Sequence, residues 1–297
     1  MQIPKYPLLK SLELSDKALI ESYFAKHPSG LSEYTFANFF AWRRFDRSEL
    51  TMINGNLCFL VNAPDRNRYF MMPFGNTDME DTLIKCLETA PKVVRLPLAF
   101  VEQYAKDSSR FAVEEDPDQF DYIYLSGDLM ELKGKKYDGK RNHINYFLRS
   151  DSFAYERMSE EHFEECCLLN DAWCKEKKRE SELFPNIECE AEVVKETLRN
   201  FRALGLTGGV IFVNGRIKAF SIGEKLTEDT VVIHIEKADP AIRGLSQLIN
   251  REFVRNEWSH FTYINREQDM GHPGLRKAKL SYHPVKLEKK YNIFLKT

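Results

Sequence analysis

The chain is written twice. Residues 50–72, LTMINGNLCFLVNAPDRNRYFMM, read as strand, Asn54-Gly55 turn, strand, polar loop and strand. Residues 207–235, TGGVIFVNGRIKAFSIGEKLTEDTVVIHI, read the same way about Asn214-Gly215. Asn-Gly between alternating apolar runs is a strong hairpin signal, because both turn residues must take positive φ. The flanks repeat in register. Two helical patterns precede each meander (15–27 and 32–46; 159–178 and 189–205), with Ser15 and Ser159 as N-cap candidates, and a short extended run precedes each helix pair. Each meander is followed by a proline (Pro73, Pro240), a glycine-containing turn and a helix (78–90; 244–257). Then come a strand (92–96; 261–265), a short helix (98–106; 273–280) and a last extended run (120–125; 284–295). This predicts an α+β chain of two similar domains, 1–130 and 151–297, each a mixed, mostly antiparallel sheet flanked by helices. Residues 131–150 would be a linker running into a connecting helix.

The chain of 297 residues is 43% hydrophobic, enough for two cores, and its net charge of -2 hides two basic segments. One holds Lys133, Lys135, Lys136, Lys140, Arg141 and Arg149. The other, from Gly274 onward, holds seven cations against Glu288. Such segments suggest a face for an anionic ligand. No apolar run approaches the roughly 18–20 residues of a membrane helix, and the N-terminus lacks a signal-peptide core. Six cysteines in a chain of this length do not form a disulfide framework, so a cytoplasmic protein without integral membrane contact is expected. His162, Cys166, Cys167 and Cys174 share a helical pattern but lack paired metal-ligand spacing, and no metal is expected. Phe36, Phe39, Phe40 and Trp42 read as core. Neither nucleotide-binding glycine patterns nor a G-x-S-x-G nucleophile turn occur.

The copies differ after the third meander strand. The second continues from Glu236 through Asp239-Pro240 to Arg243-Gly244-Leu245-Ser246-Gln247, where a helix begins. The free N–H groups of a helix's first turn bind phosphate, so Arg243, Gly244, Leu245, Ser246 and Gln247 are candidate donor-phosphate contacts. The first copy has Met72-Pro73-Phe74-Gly75-Asn76-Thr77-Asp78 there, with an acid and no cation. Its domain is expected to be non-catalytic. The segment Tyr263-Ile264-Asn265-Arg266-Glu267-Gln268-Asp269 then leaves a strand as a dense mixed run of charge. Acyl transfer needs a nucleophile held at a carbonyl, a proton acceptor and a donor for the developing oxyanion. Glu236, Glu267, Asp269 and His283 are candidate bases, and Asn265, Arg266 and Tyr282 candidate donors. Arg276 and Lys279, three apart on a short helix, could neutralise phosphate. His283, before Pro284, is expected to be extended.

The element order resembles the Gcn5-related N-acetyltransferase fold in tandem. More specifically, His234-x-Glu236-Lys237-Ala238-Asp239, Asn250-x-Glu252-Phe253, Tyr263 to Asp269 with Gly271, and Gly274-Leu275-Arg276-x-x-Lys279-x-Ser281-Tyr282-x-Pro284 resemble the phosphatidylglycerol lysyltransferase C-terminal-like family. The resemblance implies a transferase that moves an aminoacyl or acyl group from aminoacyl-tRNA or acyl-coenzyme A to an amine or hydroxyl acceptor, small or macromolecular, with tRNA as a candidate partner. The rival expectation is a non-enzymatic protein that binds an anionic metabolite or RNA.

Overall fold

The structure, a computed structural model, describes residues 2–63, 67–180 and 187–296. Residues 64–66, within the polar loop of the first meander, lie outside this set. The first half builds β1 (Lys10–Ser11), α1 (Lys17–Lys26), α2 (Phe36–Asp46), β2 (Glu49–Ile53), β3 (Asn56–Val61), β4 (Tyr69–Met71), α3 (Met79–Thr89), β5 (Val93–Leu96), α4 (Leu98–Tyr104), β6 (Phe111–Glu115) and β7 (Asp121–Leu125). Two further helices, α5 (Ser126–Glu131) and α6 (Asp138–Ser150), follow. The second half builds β8 (Ala154–Arg157), α7 (Phe163–Glu180), α8 (Ile187–Arg199), α9 (Phe201–Leu204), β9 (Thr207–Val213), β10 (Arg216–Lys225), β11 (Thr230–Ala238), α10 (Leu245–Glu257), β12 (Tyr263–Asn265), α11 (Pro273–Leu280), β13 (Lys286–Glu288) and β14 (Tyr291–Leu295). Both Asn-Gly turns hold positive φ at both residues, so the hairpins close as the sequence requires. Ser159 caps the turn leading into α7, whereas Ser15 caps nothing: Glu13 and Asp16 bond reciprocally there instead.

The strands form two seven-stranded mixed sheets, ordered β1-β2-β3-β4-β5-β14-β6 and β13-β7-β12-β11-β10-β9-β8. This is the expected α+β tandem acyltransferase-like class, with one difference. The last strand of each half lies in the other half's sheet: β14 runs antiparallel to both β5 and β6, and β7 antiparallel to β12. β6, an added edge strand, was not anticipated. Contacts accordingly divide the chain into unit one (1–121, 268–276 and 287–297) and unit two (122–267 and 277–286), rather than into contiguous halves.

In unit one, Phe24, Tyr34, Phe39, Phe59 and Phe74 pack ring against ring, and Phe36 and Phe40 are buried beside each other. A charged knot lies inside the same unit. The fully buried Lys290 donates from Nζ to both Glu33 oxygens at 2.7 Å and to Asp121 Oδ1 at 2.6 Å. Arg95 Nε lies 3.1 Å from Glu33, and Ser32 donates twice to Asp121 at 2.8 Å. In unit two, α6 and α10 cover one face of the sheet. Ile144 and Phe147 meet Leu245, Leu248, Ile249 and Phe253 over Ile211, Val231, Ile233 and Ala238.

Breaking a buried ion cluster by removing one partner leaves uncompensated charge, which costs about 3–5 kcal/mol. Lys290→Met should therefore lower unfolding stability by roughly that amount. A urea-denaturation midpoint indistinguishable from wild type would show that the knot does not hold unit one.

Candidate active site in unit two

β11 pairs in parallel with β12 for three residues only, Thr230 to Val232 against Tyr263 to Asn265. β11 then continues beside β10 to Ala238, while the chain leaving β12 turns to β7: Arg266 N–H donates to Tyr122 O at 3.0 Å, and Tyr122 N–H to Glu267 O at 3.2 Å. The two strands thus part just after Asn265. Splayed parallel strands expose backbone and side-chain polar groups at one place, which is why such sheets bind ligands there.

A bulge aims the side chains at this gap. In the β10–β11 ladder Ile222 opposes Ile235 and Gly223 opposes Ile233, which leaves His234 as the extra residue. An inserted residue shifts strand alternation by one. Val231 and Ile233 precede it on the face covered by α10; past it, Ala238 and Glu236 take that face. Glu236 accepts from Asn250 Nδ2 of α10 at 2.8 Å and from Arg266 Nη2 at 2.9 Å. Arg266 lies over the rings of Tyr282 (4.7 Å) and Tyr124 (5.6 Å). The backbone oxygen of Arg266 accepts from Lys279 Nζ. Burial opposes the charge on Arg266, but Glu236 holds its pKa above the ordinary value, and burial pushes the phenols of Tyr124 and Tyr282 up. Arg266 is therefore a fixed cation, and Tyr282 a neutral group that can donate but does not serve as a base. Among the described residues Arg266 Nη1 and Asn250 Oδ1 are buried and have no hydrogen-bond partner. Buried unmet groups of this kind are uncommon and mark places where a ligand or water belongs.

Other predicted residues serve elsewhere. Glu267, at φ 56°, is turned back by Asn265, whose Oδ1 accepts the Glu267 N–H at 2.8 Å. Its carboxylate grips His234 Nδ1 at 2.7 Å while Glu224 grips Nε2 at 2.9 Å. Burial alone would depress the imidazole's pKa, yet the two carboxylates push it up to about 10, so the ring is an imidazolium at neutral pH. Glu267 and Asn265 thus hold the bulge and the parting chain in place, with the Glu267 carboxylate paired to the imidazolium. Asp269 and Arg276 belong to unit one. Arg276 grips the buried Asp269 from Nε (2.8 Å) and Nη2 (2.9 Å), and Asp118 at 2.7 Å, so its charge is already matched by carboxylates. His283 is exposed and not extended. It takes φ 53° because its N–H and that of Tyr282 terminate α11 on Leu280 O and Lys279 O, and this helix-ending turn overrides the pre-proline preference.

The turn before α10 also differs from expectation. Gly244, at φ 91°, approaches another helix: a Cβ there would lie 2.1 Å from the His143 carbonyl oxygen of α6. Leu245 is core, while Arg243 and Ser246 are exposed and Gln247 half-buried. Arg243 lies 4.6 Å above Tyr146 of α6. Sequence reasoning placed Lys140 in a basic segment suited to an anionic ligand but did not single it out. Lys140 Nζ lies 4.0 Å over the Tyr282 ring and donates to Ser281 Oγ at 2.6 Å. A regular spacing of apolar positions from Ile144 to Phe147 was the available sign that α6 packs, and that Lys140 sits on its first turn. Among the described residues no group of His, Cys, Asp and Glu could hold a metal ion, and no helix is long and apolar enough to cross a membrane.

Two outcomes follow. A raised histidine pKa stabilises fully below the ordinary value of 6.5, and that gain is lost as pH rises through about 10. Stability should therefore fall by about 3–5 kcal/mol across this window in wild type and stay flatter in His234→Gln, as read by urea midpoints at stepped pH. Gly244→Ala should cost roughly 2–3 kcal/mol through the α6 clash, read by thermal melting. A neutral result would return this glycine to a purely ligand-facing role.

Comparison with known proteins agrees with this architecture. A crystal structure of a conserved protein of unknown function from Bacteroides thetaiotaomicron VPI-5482 is 36% identical, with a TM-score of 0.87 over 99% of this chain and 100% of that one. The structure of L-PGS from Bacillus licheniformis is 16% identical, with a TM-score of 0.62 over 99% of this chain and 94% of that one, which speaks to fold alone. An uncharacterised protein of Mycoplasmoides gallisepticum is 26% identical over 178 residues, 57% of this chain, and the match spans about half (54%) of that relative's length. The family model described as phosphatidylglycerol lysyltransferase, C-terminal, matches residues 24–294, and the chain belongs to that family.

Proposed function

We propose that unit two carries an acyl- or aminoacyl-transfer site centred on Glu236 and Arg266, taking its donor from aminoacyl-tRNA or acyl-coenzyme A and passing the group to an amine or hydroxyl. The observation that supports this reading is the pair of unmet groups beside Glu236. Arg266 Nη1 offers donors and Asn250 Oδ1 an acceptor where β11 and β12 part. Side-chain exposures of 18% for Glu236 and 14% for Arg266 place the pair near the surface, with Nη1 itself buried.

In this reading Arg266 Nη1 and the Tyr282 hydroxyl donate to the oxygen on which negative charge develops, in a site of low dielectric where such donors act strongly. Glu236 receives the nucleophile's proton or holds its amine, with Asn250 and Arg266 fixing its orientation. Arg243 and Ser246, exposed at the first turn of α10, with Gln247 beside them, contact donor phosphates through a helix N-terminus. Gly244 and Leu245 shape that turn. Lys279 holds the backbone of Arg266, and Asn265, Glu267 and His234 hold the parting strands. Asp269 and Arg276 act as a fastening within unit one, and His283 as a helix terminator. The basic run of α6 and the family's lysyltransferase name favour a charged tRNA as donor, with unit one in a non-catalytic role.

Mass-spectrometric discharge assays with acyl-coenzyme A species and charged tRNAs test this. Wild type should discharge one donor class. Glu236→Gln should keep donor affinity and lose roughly 10²–10⁴-fold in turnover. For a tRNA donor, affinity should fall steeply with salt. Binding of a donor without discharge by wild type would instead support a non-enzymatic binder.

A further inference from the structure

We infer that Lys140 and Arg266 together form an anion subsite, which receives a carboxylate or phosphoryl oxygen of a substrate entering unit two. The inference deepens the transfer-site reading and rests on it for the identity of the ligand, though not for the binding itself.

Two cations share one ring. Lys140 Nζ and the Arg266 guanidinium lie 4.0 and 4.7 Å from the centroid of Tyr282. The carboxylate that faces them, Glu236, is already taken by Arg266 and Asn250. Among the described residues Lys140 makes no ion pair; its partner is the neutral Ser281 hydroxyl. A half-buried ammonium without a counter-ion, beside a buried guanidinium with an unmet Nη1, costs free energy that an incoming anion would relieve. Burial and the neighbouring Arg266, opposed by Glu236, push Lys140 down to about 8. The surroundings of its ammonium are Glu236 on β11, Arg266 leaving β12 and the Tyr282 and Ser281 turn. Tyr124 on β7 and Lys279 adjoin Arg266. Near pH 8 Arg266 stays cationic and both phenols stay neutral. The subsite would carry two positive charges at neutral pH and one above pH 9.

Two simple probes distinguish the ligand's source. Sulfate, whose charge is constant over this range, stands for a phosphoryl group, and acetate for a carboxylate. Binding to the full chain is followed by calorimetry and by NMR of ¹³C-labelled lysine. Lys140 should titrate near 8 in the free protein and about one unit higher with the bound anion. Affinity for the preferred anion should drop about fivefold between pH 7 and pH 9. Lys140→Met, which keeps the apolar stem, should bind weakly at pH 7 with no such drop, and Lys140→Arg should keep its affinity at pH 9. Glu236→Gln should tighten binding. If neither anion shifts the Lys140 titration, or if Lys140→Met binds as wild type does at pH 7, the subsite does not exist. None of these measurements needs a donor to be discharged. A protein that binds sulfate through Lys140 yet transfers nothing would refute the transfer reading and leave the subsite standing.

Discussion

Everything distinctive about unit two follows from a parallel ladder that stops after three residues. Had β11 and β12 stayed paired, the backbone beyond Val232 and Asn265 would be satisfied by hydrogen bonds and the surface closed. Because they part, the chain must hold both strands apart by side chains. Arg266 reaches back across the opening to Glu236, while Glu267 reaches the His234 bulge. The bulge has a second effect. Without the extra residue Glu236 would sit on the other face of the sheet, away from Asn250 and α10. A local irregularity of one residue therefore decides whether a carboxylate faces the opening at all.

Unit one has the same start and a different outcome. β4 and β5 pair in parallel for two residues, and Arg95 leaves that pairing at φ 58°, much as Glu267 leaves β12 at φ 56°. There, however, Lys290 and Arg95 are matched by Glu33 and Asp121, two cations against two carboxylates. In unit two the comparable pair, Arg266 and Lys140, faces one carboxylate that is already occupied. A balanced knot stabilises a fold and offers nothing to a visitor; an unbalanced one has affinity to spare. The difference favours unit two as the place for chemistry.

Much of this was legible in the residues. The Asn54-Gly55 and Asn214-Gly215 turns fixed two hairpins, and the dense run from Arg266 to Asp269 marked the strand exit. What was hidden has physical causes. DYIYL at 121–125 and YNIFL at 291–295 state that these strands are buried, but alternation does not name a partner, so their exchange between sheets was invisible. Asp269 and Arg276 look like site residues because charge in a sequence carries no sign of its mate seven residues on. Gly244 looks like a ligand-facing glycine because close approach of a helix and close approach of a phosphate ask for the same missing Cβ. Lys140 does not stand out within its basic run because the ring that covers it, Tyr282, is far away in sequence.

The exchanged strands also bear on how the polypeptide reaches this state. β14 sits between β5 and β6, so the first sheet cannot close until residues 291–295 are available. On a ribosome β1 to β5 would wait until residues 291–295 have been made. The second sheet takes β7 from a segment made earlier, and only its edge strand β13 comes late. Long-range pairings of this kind are slow and leave strand edges open to wrong partners. The first sheet is thus sealed by the last-made of its strands, and until that strand arrives β5 and β6 have no partner between them.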